Sequence, residues 1–214
     1  MRSEDFKQRR HDATAEILVE AAESAIARKG YESVTMREIA TQAGCALGTL
    51  YVYFKSKREL VDEIYERHGR VLFQQLFDAM AATPDPLDRL RQVSRTLLEY
   101  FNQNPDVFRL FHSVTPPRPG QTASSLPESI QPLDRKLAEA ELQTIRQAQE
   151  LGEIRQDFSA ECIQSFRKGV TMGFLGELTA QEELPSLDEQ MRMLWGFQTG
   201  GIGARGNHAD TAKP

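Results

Sequence analysis

At three places in this 214-residue chain a Ser or Thr three residues ahead of a Glu stands where a helical apolar pattern begins: Thr35-Met-Arg-Glu38, Ser56-Lys-Arg-Glu59 and Ser186-Leu-Asp-Glu189. Each pair opens an apolar run. At that spacing the hydroxyl accepts from the Glu N–H while the carboxylate reaches back to the first residue's N–H. Two donors orphaned at a helix start are satisfied together. Between these signals apolar residues recur at three-and-four spacing, as in Ile17, Leu18, Ala21, Ala22, Ala25 and Ile26. Gly30, Gly44 and Gly152 stand where such stretches stop. Asp85-Pro86, Pro105 and Ser159 open further helices. No alternating pattern is long enough for a strand, and no repeat recurs. The expected fold class is all-α.

Charge divides the chain unevenly. Residues 1–58 carry ten Lys/Arg against eight Asp/Glu, a net +2, whereas the whole chain is at −5. The N-terminal quarter is the only part with a positive balance, which favours a nucleic-acid contact there, although a solvated charged face gives the same balance. Cys45 and Cys162 lie too far apart in sequence to suggest a disulfide framework, so a reducing cytoplasm is the expected compartment. No apolar run has the length of a membrane span, and none follows the charged start as a signal peptide would. His11, His68, His112 and His208 show no metal-ligand spacing. Gly201-Ile-Gly-Ala-Arg-Gly206 spells a dinucleotide fingerprint, but no strand precedes it and only eight residues follow. Neither an enzyme nor a cofactor or metal is expected.

Within the first 58 residues three helices joined by tight turns suggest a helix-turn-helix arrangement. The second helix runs from about Met36 to Ala43. The turn holds Gly44, which tolerates positive φ. The third helix is GTLYVYF, Gly48 to Phe54. On a helical wheel Leu50 and Phe54 share a face that should pack on Ile39. Thr49 and Tyr53 lie to one side and Tyr51 on the opposite flank. Gly48 and Thr49 add little bulk at the helix start. A recognition helix has this geometry and reads base edges in the major groove with its N-terminal residues. Thr and Tyr hydroxyls suit phosphate oxygens, and Lys57 is a further phosphate candidate. Leu47 or Thr49 could meet a thymine methyl. A helical protein-interaction module with surface tyrosines and no DNA partner is the competing reading.

Residues 14–65 resemble the DNA-binding domain of the TetR/AcrR family of bacterial transcriptional regulators. The resemblance rests on the Ala21-Ala22 pair, Lys29-Gly-Tyr31, VTMREIA from Val34, the Ala43-Gly44 turn, GTLYVYF and KSKREL from Lys55. It implies a homodimer that binds double-stranded DNA at a palindromic operator and answers to a small-molecule effector. Repression is the implied outcome, with activation as the alternative. Thr35, Arg37, Leu47, Gly48, Thr49, Tyr51, Tyr53 and Lys57 are the DNA-contacting positions it implies. One departure is Ala46, where the family often has a capping Ser or Thr; a missing cap costs about 1 kcal/mol. Cys45 replaces an apolar packing residue. Lys7, Arg9 and Arg10 form a basic arm that touches DNA or stays solvated.

The resemblance also implies a division into a head with its arm (1–58), a helical effector-binding and dimerisation domain (59–200) and a tail (201–214) expected to be disordered. Dimerisation would use the last two helices, with Phe166, Val170, Gly173, Met193 and Trp195 as interface candidates. Gly169, Gly173 and Gly176 would allow a close helix approach there; an intrachain core is the alternative. Phe101, Phe108, Phe111, His112 and Phe174 are candidate lining for an apolar or aromatic effector, with ordinary core as the alternative.

Overall fold

All three Ser/Thr–Glu pairs close helix starts. In the computed structural model, which describes residues 2–114, 126–179, 181 and 183–200, Thr35 N–H donates to Glu38 Oε2 (2.9 Å) and Glu38 N–H donates to Thr35 Oγ1 (3.3 Å). Ser186 and Glu189 form the same reciprocal pair. The middle pair is displaced by one residue. Glu59 N–H donates to Ser56 Oγ, but the Glu59 carboxylate accepts from Lys55 N–H (2.6 Å) rather than from Ser56.

Among the described residues every regular element is a helix. They are α1 Arg2–Lys29, α2 Met36–Gln42, α3 Leu47–Tyr53, α4 Lys57–Ala82, α5 Pro86–Gln103, α6 Pro105–Val114, α7 Gln131–Glu150, α8 Ala160–Thr179 and α9 Leu187–Gly200. The expected all-α class holds. Lys7, Arg9 and Arg10 belong to the backbone of α1, which begins at Arg2, so the basic arm is continuous with the first helix. Their side chains, residues 115–125 and the tail from Gly201 lie outside the described residues.

Packing groups the chain into two units, residues 1–74 with 103–136, and residues 75–102 with 137–214. The first unit therefore takes in the start of α4 and all of α6 as well as the helix-turn-helix. Its core is Leu18, Val19, Ala22, Ala25 and Ile26 of α1, Ile39 and Ala40 of α2, Leu50 of α3, and Leu60, Val61, Ile64 and Tyr65 of α4. The α1 pattern and the similar run of Leu60, Ile64, Val71, Leu72 and Leu76 in α4 each leave one residue unburied. Ile17 and Val71 are about half exposed, while Val19 and Phe73 are buried in their place. The rest of each stripe is buried as expected, Leu18, Ala21, Ala22, Ala25 and Ile26 in α1 and Leu60, Ile64, Leu72 and Leu76 in α4, and Ile17 and Val71 lie at the edges of those faces. The carboxylate of Glu23 ties α1 to α4 by accepting from Arg67 and lying 3.1 Å from His68 Nε2. Gly69 marks a close approach: a Cβ there would stand 3.1 Å from Ile130 Cδ1.

The second unit has an apolar centre at Leu90, Ile145 and Ala160, with Leu142, Ile154, Ile163 and Trp195 packed on it. Beside it runs a polar network. Arg167 donates to Gln198 Oε1 (2.9 Å) and to the Leu90 carbonyl (3.0 Å), and Gln198 Nε2 donates to Thr171 Oγ1 (2.9 Å). No described buried side-chain nitrogen or oxygen lacks a partner.

The α2 cap makes a pH prediction. Hydrogen bonds from Lys29 (2.5 Å), the Thr35 N–H and the Thr35 hydroxyl lower the Glu38 carboxyl from 4.5 to about 2. A carboxyl depressed in the folded state stabilises the fold fully above its unfolded value and loses that contribution as pH falls toward the folded one. Stability should therefore decline between about pH 4.5 and pH 2 through Glu38. Thermal melts of Glu38→Gln across that window should show a shallower decline than the parent chain; an identical slope would assign the acid sensitivity to other carboxylates.

Candidate nucleic-acid interface

The helix-turn-helix is built around a buried seam. Ile39, Ala40, Leu50 and Phe54 are buried, and the Gly44 turn that joins α2 to α3 has φ 68°, closed by Cys45 N–H on the Ala40 carbonyl (3.0 Å). Only glycine holds that φ without strain. Ala43, Cys45, Leu47 and Tyr53 pack partly buried on the same core. Cys45 is thus a packing residue, as expected. Ala46 supplies no side-chain cap to α3.

What this seam leaves outside is a continuous exposed face. Gly48, Thr49, Tyr51 and Val52 of α3 are exposed, with Lys55 just beyond and Arg37 on α2. Among the described residues nothing beyond the neighbouring backbone lies within 4 Å of a Cβ built on Gly48, so the start of α3 has room for an incoming surface. Tyr51 is 49% exposed and Val52 77%. Arg37 has no ionic partner among the described residues, and its carbonyl accepts from Thr41 Oγ1. A short helix with a small N-terminus and exposed hydroxyls on both flanks, preceded by a helix with an exposed guanidinium that has no ionic partner among the described residues, suits a duplex groove.

The model for bacterial regulatory proteins of the tetR family matches residues 18–64, the whole of this helix-turn-helix. The chain's helix-turn-helix domain is that of the TetR family. The chain is 32% identical over 115 residues to an uncharacterised HTH-type transcriptional regulator, MT1294, of Mycobacterium tuberculosis, a match covering 54% of this chain and 57% of that one. The chain thus spans little more than half the length of that relative. It is 28% identical over 171 residues to the transcriptional repressor KstR2 of the same species, covering 77% and 84%. Its fold is similar to that of FadR from Bacillus subtilis in complex with stearoyl-CoA, with a TM-score of 0.71, 16% identity, and coverage of 88% and 99%.

The eight positions implied by the TetR resemblance do not stand equally in this TetR-family head. Arg37, Gly48, Thr49 and Tyr51 are all exposed. Leu47 and Tyr53 are half-buried against the core, and the Tyr53 ring lies 4.5 Å from that of His11 on α1. The Thr35 hydroxyl is engaged in the α2 cap, donating to Glu38 Oε2 (3.0 Å). Lys57 does something the sequence did not suggest. Its ammonium donates to the carbonyls of Tyr31, Val34 (2.9 Å) and, more weakly, Glu32 (3.4 Å), and sits 4.3 Å from the centre of the Tyr31 ring. All three of its donors serve the turn between α1 and α2. Val52 was missed because a β-branched apolar residue between two tyrosines reads as core. The signal was available: two residues beyond Leu50, it lies about 200° around the helix.

The remaining candidates fall in different units. Phe108 is buried and Phe111 half-buried in the first, where Phe111 stacks on Tyr65 at 4.0 Å; Phe101 is buried and Phe174 half-buried in the second. The His112 side chain lies outside the described residues. Clefts lie at α1–α2 and at α5–α9, and none of these aromatics lines either. Phe166 is 68% exposed, Met193 and Gly173 are exposed, Val170 is half-buried, and Trp195 packs beside Ile163.

Proposed function

We propose that the protein is a transcriptional regulator that binds a palindromic operator as a homodimer through α3 and is released by a small molecule. The exposed face of Arg37, Gly48, Thr49, Tyr51 and Val52, over a seam that buries Leu50 and Phe54, carries this reading. Two such heads would stand about one DNA turn apart, about 34–36 Å. Similarity to the repressor KstR2 supports repression. A solved relative of the same fold holds stearoyl-CoA, which supports an effector with a long apolar part. The effector acts by its difference in affinity between two states, and α4, which carries residues of both units, is the element through which the change would reach the head. The protein would act in the cytoplasm and not as an enzyme. Among the described residues no helix is long and apolar enough to cross a membrane.

Footprinting the purified protein on DNA flanking its own gene tests the first half. Sequence-selective, salt-sensitive protection of a palindrome is expected, and its absence would sink the reading. Release of that footprint by long-chain acyl thioesters tests the second half.

Lys57 separates two roles in the same assays. As a positioning residue for the α1–α2 turn, Lys57→Ala should cost about 1 to 2 kcal/mol of stability by leaving carbonyls without their charged donor. Urea unfolding measures it. Weakened operator binding with unchanged stability would make Lys57 a phosphate contact instead.

A further inference from the structure

The chain beyond residue 58 is acidic, with sixteen Lys/Arg against twenty-three Asp/Glu. Yet one cleft in the second unit, of about 300 Å³ between α5 and α9, is lined by Arg91, Arg95 and Arg192 against a single carboxylate, Asp188. Asp188 is already engaged by Arg95 (3.1 Å), which also donates to Glu99 (3.0 Å). Arg192 is only loosely held, 3.9 Å from Glu189. Arg91 is exposed and has no ionic or hydrogen-bonding partner among the described residues. The cleft therefore carries two guanidinium groups whose charge its own walls do not neutralise.

The rest of the lining is apolar and flat. Met191 is buried and Trp195 half-buried at the cleft. The guanidinium of Arg167 lies 5.7 Å from the centre of the Trp195 ring and adds positive potential nearby. An indole beside forked donors is suited to a molecule with a planar or apolar body and an oxyanion, since guanidinium groups hold carboxylate, sulfonate or phosphate oxygens in pairs. The volume is at the lower end for small-molecule sites. By helical periodicity Arg192 and Trp195 lie on the flank of α9 opposite Met193 and Phe197, so covering the latter leaves the cleft open.

We propose that the α5–α9 cleft is a binding site for a small amphipathic organic anion, its acidic group held by Arg91 and Arg192 and its apolar body against Trp195. The site is separate from the operator-reading face, and its test does not depend on DNA.

Trp195 is the only tryptophan, so its fluorescence reports on this cleft alone. The full chain is titrated with 8-anilinonaphthalene-1-sulfonate and, in parallel, with the uncharged N-phenyl-1-naphthylamine. Saturable quenching of Trp195 by the sulfonate is expected, at least tenfold tighter than by the neutral analogue. Arg91→Gln with Arg192→Gln should weaken the sulfonate about tenfold, as expected for the loss of two partly exposed charge contacts, and leave the neutral analogue unchanged. Arg91→Lys with Arg192→Lys should fall between the parent and the Gln pair, because the charge remains but the paired donors are lost. Circular dichroism checks that each variant keeps its helices. Equal binding of the two probes, or sulfonate binding untouched by the Gln pair in a folded variant, would overturn the proposal.

Discussion

Tyr51→Ala should weaken operator binding roughly 30- to 150-fold while leaving stability within about 0.5 kcal/mol of the parent. The estimate follows from its place on the head. Half of the ring is exposed, and no packing on the core is lost with it. A phenol donating to a phosphate contributes about 1 to 1.5 kcal/mol, and a homodimer makes the contact twice. Leu50→Ala, one residue away, should behave in the opposite way. Leu50 is fully buried, so its truncation should cost about 2 to 5 kcal/mol and remove binding by unfolding the head. Tyr51→Phe divides the effect between ring and hydroxyl. Val52→Ala tests base readout: a lost methyl contact relaxes preference at one base pair, whereas a lost phosphate contact weakens all sequences alike. Fluorescence anisotropy on the footprinted operator and on single-base variants measures both. Unchanged affinity in a folded Tyr51→Ala protein would exclude α3 as the docking helix.

That contrast between adjacent residues was partly legible in the sequence. Periodicity placed Leu50 and Phe54 inward, and both are buried. The reciprocal capping pairs at Thr35 and Ser186 were legible because the interaction is local and needs only four residues. Where several chain segments meet, the sequence said less. Lys57 looked like a cation awaiting phosphate, because nothing local shows that the Tyr31, Glu32 and Val34 carbonyls converge on it from twenty-odd residues upstream. Ile17 and Val71 are exposed at the edges of their stripes for a similar reason: a wheel gives the centre of an apolar face, and the neighbouring helices decide how far its edges are covered. The α5–α9 cleft was illegible, since its arginines are spread over about a hundred residues. Aromatic residues of the middle helices carried no signal that could separate core from ligand lining.

Phe166→Glu should convert the protein to monomers at micromolar concentration and reduce operator affinity by about two orders of magnitude or more, as one head loses the avidity of two. Phe166 is 68% exposed on α8 and Phe197 50% on α9, with Met193 also exposed. Met193 and Phe197, four residues apart, share a flank of α9, and exposed apolar patches mark interaction sites. The glycines of α8 support the same face: among the described residues no other part of the chain lies within 4 Å of a Cβ built on Gly169, Gly173 or Gly176. Each such glycine weakens its helix by about 1 kcal/mol relative to alanine, a cost offset if a helix of the partner packs closely there. In a two-fold interface a residue near the axis meets its own copy, so one substitution introduces two carboxylates that must both be desolvated. Gly173→Leu should act by bulk rather than charge and give the same dissociation. Sedimentation velocity reads the mass directly. Unfolding distinguishes loss of assembly from loss of fold: the parent's melting temperature should rise with protein concentration, and that of Phe166→Glu should not. A Phe166→Glu protein that remained dimeric would move the interface off this face of α8 and leave the exposed apolar residues and the glycines without an account.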